Sequence, residues 1–83
     1  MKLQFSKQAV RFLKKSDKQT ARRIYDKITG LLDNPVPSDA KTLAGYKELI
    51  YRIRVGDYRI LYEVDNKGQI IGIVKIDKRG RVY

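Results

Sequence analysis

Tyr51-Arg52-Ile53-Arg54-Val55-Gly56-Asp57-Tyr58-Arg59-Ile60-Leu61-Tyr62-Glu63-Val64 is the stretch that decides the fold. Successive side chains of a strand point to opposite faces, so Tyr51, Ile53 and Val55 share one face and Arg52 and Arg54 the other. Gly56-Asp57, in that order, predicts a two-residue hairpin turn with positive φ at its first position. Closing that hairpin pairs Val55 with Tyr58, Arg54 with Arg59 and Ile53 with Ile60. Tyr58, Ile60, Tyr62 and Val64 then continue the apolar face, and Arg59, Leu61 and Glu63 the other. Arg54 and Arg59 stand side by side, a placement that costs stability because like charges directly opposite on a sheet repel. Arg52, diagonal to Arg59, enlarges the cluster.

Downstream, Asp65-Asn66-Lys67-Gly68 predicts a second turn, and Gln69 to Ile76 a third strand. Upstream, the first strand of this meander begins at Lys47, and residues 35–46, with Pro35, Pro37, Ser38, Asp39 and Gly45, read as a loop. Before the loop the period changes from two to 3.6. Ser6 caps a helix over residues 7–15 whose apolar positions are Ala9, Val10, Phe12 and Leu13. Ser16-Asp17-Lys18-Gln19 has the capping-box pattern and starts a second helix with Ala21, Ile24, Tyr25, Ile28, Leu31 and Leu32 as its buried stripe. Asn34-Pro35 stops it. Lys2 to Phe5 alternates and reads as a short first strand. The expected fold is therefore one α+β domain over residues 1–83: a short N-terminal strand and an antiparallel two-helix hairpin packed on an antiparallel β-meander.

Composition narrows the chemistry. The 83 residues contain no Cys, His or Trp, which removes disulfide frameworks, Cys/His metal sites and Cys- or His-based nucleophilic catalysis. Any catalysis falls to Lys, Arg, Tyr, Asp, Glu, Ser or Thr. Nineteen Lys+Arg against nine Asp+Glu give a formal charge of +10, spread over both halves of the chain. Such a field attracts polyanions: nucleic acid, an anionic membrane or an acidic protein. The cationic outer faces of the helices raise the membrane reading, but the sheet that follows gives their apolar stripes a core to cover. No membrane partner is expected. Met1 to Phe5 lacks the apolar run of a signal peptide, and a cytoplasmic location is expected.

On the sheet face away from the helices, three arginines collect. They are either a solvated surface paired with Glu63 or Glu48, or a phosphate grip, for which the guanidinium fork is well suited. Lys78, Arg79, Arg81 and Tyr83 follow the third strand and are expected on that face or its rim. Basic side chains with a tyrosine able to stack on a base suit single-stranded RNA.

Leu43-Ala44-Gly45-Tyr46-Lys47-Glu48-Leu49-Ile50 followed by Tyr51 to Val64 closely resembles the L-x-G … Y-R-I-R-x-G-x-Y-R-[IL]-x-Y core of the RelE/ParE toxin superfamily, whose element order is the one read above. The superfamily has RelE-like members that cut messenger RNA at the ribosomal A site and ParE-like members that poison DNA gyrase without cleaving RNA. Both kinds are neutralised by a cognate antitoxin protein. The resemblance to the RelE-like branch implies that Arg52 and Arg54 stand where lysines are common, that Arg59 is the strand arginine, and that Arg79 and Tyr83 are the C-terminal arginine and tyrosine of the catalytic set. Lys47, Lys78 and Arg81 are expected to bind RNA. The implied reaction is attack of a ribose 2′-hydroxyl on the adjacent phosphate, with no metal and no cofactor, on mRNA held by the ribosome. Arg59 stabilises the phosphorane, Arg79 acts as acid or second clamp, and Tyr83 orients the nucleotide. Arginine holds its proton too tightly to serve as a base, so Lys47, Lys78 or Tyr83 has to accept the proton. The alternative implied by the resemblance is a non-catalytic, gyrase-directed ParE-like toxin or an inactive homologue.

Overall fold

A computed structural model describes residues 1–43, 45 and 49–78. The chain runs β1 (Lys2–Phe5), α1 (Lys7–Lys15), α2 (Lys18–Gly30), β2 (Lys41–Leu43), β3 (Ile50–Val55), β4 (Tyr58–Asp65) and β5 (Ile70–Lys78). The strands form one sheet in the order β1-β5-β4-β3-β2. From β1 at one edge the helical hairpin crosses the sheet and the chain re-enters at the opposite edge as β2. Antiparallel steps then carry it back through β3 and β4 to β5, which lies parallel to β1. This is the expected α+β arrangement with one strand more: Lys41–Leu43, read from sequence as loop, pairs antiparallel with β3 and extends the meander to four strands. Three residues at an edge are too few for a period-two signal.

The β3–β4 hairpin has the expected register, with Val55 opposite Tyr58, Arg54 opposite Arg59 and Ile53 opposite Ile60. Gly56 has φ 56, the left-handed conformation that a side chain disfavours. In the second turn the positive φ falls on Gln69 (φ 55), after Gly68, whose N–H donates to the Asp65 carboxylate at 3.0 Å. Helix α1 has the bounds read from its periodicity. Ser16, expected to cap α2, closes α1 instead, its hydroxyl donating to the Phe12 carbonyl at 2.8 Å. Asp17 caps α2 by accepting from the Thr20 N–H at 3.1 Å, and that bonding holds its carboxyl below the usual range. An anion at the positive end of a helix is the stronger cap, which leaves the adjacent serine for the helix before it.

The core lies between the helices and one sheet face: Ala9, Ile24, Ile28 and Leu31 against Ile53, Ile60, Tyr62, Ile71, Ile73 and Ile76. The helical stripe is narrower than the sequence suggested, since Val10, Tyr25 and Leu32 are exposed, Tyr25 with its ring stacked on Phe5 at 6.2 Å. Tyr62 is fully buried, and its hydroxyl donates to the Pro35 carbonyl at 2.7 Å, tying the loop after α2 to the sheet. Burial pushes its phenol up to about 12.

Strand β5 carries the main irregularity. Leu61 pairs with Lys75 and Tyr62 with Ile73, so Val74 is an extra residue, a β-bulge. The start of α1 secures it. Ser6 donates its hydroxyl to the Val74 carbonyl at 2.7 Å and its N–H to the Ile73 carbonyl at 2.9 Å. Beyond the end of β1, the Gln8 amide takes the place of a neighbouring strand, donating to the Ile76 carbonyl at 2.7 Å and accepting from the Ile76 N–H at 2.9 Å.

Replacing Gln8→Ala leaves both Ile76 backbone groups without these partners and is expected to cost about 1–3 kcal/mol in chemical denaturation, with faster amide exchange at Ile76. Tyr62→Phe is expected to cost about 1 kcal/mol near neutral pH. Because the folded-state phenol is raised above its ordinary 10.0, the stability Tyr62 contributes is complete below that pH and lost as pH climbs towards about 12. The gap between wild type and variant should therefore close over that interval in pH-dependent melts.

Candidate nucleic-acid interface

The sheet register lays the outer face out as rungs. One rung runs Arg54, Arg59, Asp77 across β3, β4 and β5. The next runs Lys41, Arg52, Leu61, Lys75 from β2 to β5. Two adjacent rungs thus carry five cations and one carboxylate. Leu61 stands between Arg52 and Lys75 and is 3% exposed, so the face is not bare charge: the aliphatic stems of its neighbours can lie over an apolar centre. Arg52 is half-buried, and its Nε is buried with no hydrogen-bond partner among the described residues. Buried donors are nearly always satisfied, which sets this one apart on the face.

Arg59 is held by Asp77. Its Nε donates to one carboxylate oxygen at 3.1 Å and an Nη to the other at 2.9 Å, while the Lys75 ammonium lies 3.8 Å from the same carboxylate. The bulge at Val74 makes this contact possible. With unbroken alternation Ile71, Ile73, Lys75 and Asp77 would share the core face; the extra residue brings Ile76 inward and turns Lys75 and Asp77 outward. Farther along the same face a third rung joins Glu63, Gly72 and Gln4. A Cβ at Gly72 would meet the Glu63 side chain at 3.3 Å, so glycine leaves that carboxylate its room. Two depressions, about 330 and 460 Å³, border Glu63, and the arginine rungs stand outside both.

Of the residues singled out from sequence, the structure brings Arg52, Arg54 and Arg59 together. Lys78 is in register with Tyr58, whose ring packs edge-on against Phe12 at 5.8 Å, so it falls on a rung of the helix side, exposed at the end of its strand. Lys47, Arg79, Arg81 and Tyr83 lie outside the described residues. The sequence reading missed Lys41, Lys75 and Asp77. The one signal for the last two was the three-residue step from Ile73 to Ile76, where a regular strand would have stepped by two. Among the described residues no acidic group of the kind that holds a metal is assembled.

The family model for the ParE toxin of type II toxin–antitoxin systems matches residues 3–83. The chain belongs to the RelE/ParE superfamily of type II toxins. Among its relatives, a Methanocaldococcus jannaschii protein named for RelE (RelE1) is 32% identical over 84 residues, covering 98% of this chain and 92% of its own. RelE of the archaeal RelE–RelB complex from Pyrococcus horikoshii superposes with a TM-score of 0.82 at 35% identity, over 98% of this chain and 97% of that one. The isolated E. coli RelE toxin shares the fold, with a TM-score of 0.80 at 22% identity over 95% of this chain and 84% of its own.

In this toxin the arginine face comes at a cost that Asp77 offsets. Asp77→Asn removes the carboxylate that Arg59 and Lys75 share, and it is expected to lower stability by about 1 kcal/mol at low ionic strength. Because the lost interaction is partly exposed Coulomb attraction, the difference should shrink as salt is raised in parallel thermal melts.

Proposed function

We propose that this toxin is a ribosome-dependent messenger RNA endoribonuclease of the RelE kind. The observation that carries the reading is the pair of arginine rungs, with Arg52, Arg54 and Arg59 on one face, a buried Nε on Arg52 that has no partner among the described residues, and five cations to one carboxylate on the two rungs. A cationic sheet face outside the two depressions suits a long polyanion better than a small metabolite, which takes a concave, mostly apolar pocket. The 35% identity to a RelE captured with RelB supports both this branch and a cognate antitoxin as partner. An acidic antitoxin segment that orders on binding would cover so basic a surface.

In this reading the 2′-hydroxyl of the bound nucleotide attacks the adjacent phosphorus, and the 5′-oxygen of the next nucleotide leaves, giving a 2′,3′-cyclic phosphate and a 5′-hydroxyl. Charge builds on the phosphorane oxygens, and preorganised donors lower the barrier where charge develops. Arg59 supplies that charge, with Arg52 and Arg54 gripping the flanking phosphates. The proton acceptor must be lysine or tyrosine, because a guanidinium does not give up its proton at neutral pH. Of the candidates named by the sequence Lys47 and Tyr83 remain, Lys78 standing on the helix side of the sheet, and Lys75 is the one the rungs add. Arg79 serves as the second clamp, the leaving 5′-oxygen taking its proton from water, and Tyr83 stacks on the nucleotide. The ribosome would hold the message in the attacking geometry, an orientation the reaction needs the more where the arginines themselves supply no proton acceptor.

The ParE description of the matching family model keeps a gyrase-directed toxin as the second reading. Primer extension on a defined message in a purified translation system, with and without ribosomes, separates the two. Discrete 5′-hydroxyl ends on translating ribosomes alone are expected, reduced about 10²–10³-fold by Arg59→Ala, and alanine at Arg79 or Tyr83 should relieve growth arrest. An intact message in arrested cells, or full toxicity of the Arg79 and Tyr83 variants, would shift the assignment to gyrase.

A further inference from the structure

Asp77 is the one carboxylate on the two arginine rungs, and it grips the arginine whose charge the proposed reaction needs most. Electrostatically it is misplaced: an anion 2.9 Å from Arg59 competes with phosphate for the same guanidinium. Geometrically it is well placed. The carboxylate takes Nε and one Nη, the lateral side of the guanidinium, and so fixes the plane of the group by two parallel bonds. The two side chains are only 35% and 25% exposed, which limits the competition of water for those bonds. The strand itself is irregular at Val74, with Ser6 and Gln8 holding the bulge, and the consequence of that irregularity is that position 77 faces Arg59 across the sheet.

We infer that Asp77 is a positioning residue: it fixes the plane of the Arg59 guanidinium in the orientation in which its charge stabilises the phosphorane in the transition state. This rests on the endoribonuclease reading given above. The inference makes an unusual joint demand on kinetics. Removing an anion from a cationic face strengthens ground-state attraction for phosphate, whereas freeing the guanidinium weakens stabilisation of the transition state. The two effects pull KM and kcat down together.

The test is single-turnover cleavage on programmed ribosomes by the full-length wild type, Asp77→Ala, Asp77→Asn, Arg59→Ala and the double variant Arg59→Ala/Asp77→Ala. The readouts are the maximal rate, the toxin concentration at half-maximum and the folded fraction by circular dichroism. Asp77→Ala should cut the maximal rate about 10–100-fold, the scale of a misaligned catalytic group, with the half-maximal concentration unchanged or lower. Asp77→Asn, which keeps the shape and one acceptor, should lose less, and it carries the comparison if the alanine variant does not fold. The double variant should be no slower than Arg59→Ala, because Asp77 acts only through Arg59. A maximal rate unchanged or raised in Asp77→Asn would make the carboxylate a bystander or an inhibitor and overturn the inference. So would a double variant showing the product of both single losses, or a rate that falls only in step with the folded fraction. A wild type that cuts nothing overturns the endoribonuclease reading itself, and this assignment with it, before any variant is compared.

Discussion

The bulge at Val74, clamped from the start of α1, is the constraint on which the rest of the outer face depends. Gln8 bonds both backbone groups of Ile76, and Ser6 holds the carbonyls of Ile73 and Val74. These bonds let β5 change phase without leaving buried polar groups unpaired, an expense that would otherwise rule the irregularity out. With the phase change, Ile76 joins Ile71 and Ile73 under the helices, while Lys75 and Asp77 turn to the side of Arg52, Arg54 and Arg59. Without it the core would have to accept a lysine and an aspartate, and Arg59 would lose the Asp77 carboxylate.

The face so built trades stability for charge. Arg54 directly opposes Arg59, and Arg52 sits one rung away with a buried donor that no described residue satisfies. A protein under selection for stability alone would place alternating signs here. The tolerance of this arrangement rests on the opposite face, where Ile24, Ile28, Ile53, Ile60 and Tyr62 are wholly buried and hold the sheet against the helices whatever its outer surface carries. Burial on one side thus supports repulsion on the other, and the proposed function gives that repulsion a use.

Much of this was legible in the sequence because local rules and the global fold agree. The glycine-first turn at Gly56-Asp57 fixed the register of β3 on β4, and with it the meeting of Arg54 and Arg59. The period of 3.6 located α1 to the residue. What was hidden depended on non-local partners. Strand β2 exists only because β3 offers it an edge. The phase change in β5 depends on Ser6 and Gln8, some seventy positions away (|i−j| = 68 for both contacts). Period-two counting within 70–78 therefore could not assign Lys75 and Asp77 to the face they occupy. Ser16 and Asp17 were both able to cap a helix, and only the end of α1 decided which one did.

The central claim is that phosphate is gripped by the outer sheet face and not by the helices, which are also basic and carry Arg11, Arg22 and Arg23. Side-chain Nε–H spectra of ¹⁵N-arginine-labelled protein, titrated with a 2′-O-methylated single-stranded RNA that cannot be cleaved, test it most directly. The account predicts shifts at Arg52, Arg54 and Arg59 with Arg11, Arg22 and Arg23 unmoved. Shifts confined to the three helix arginines would contradict it.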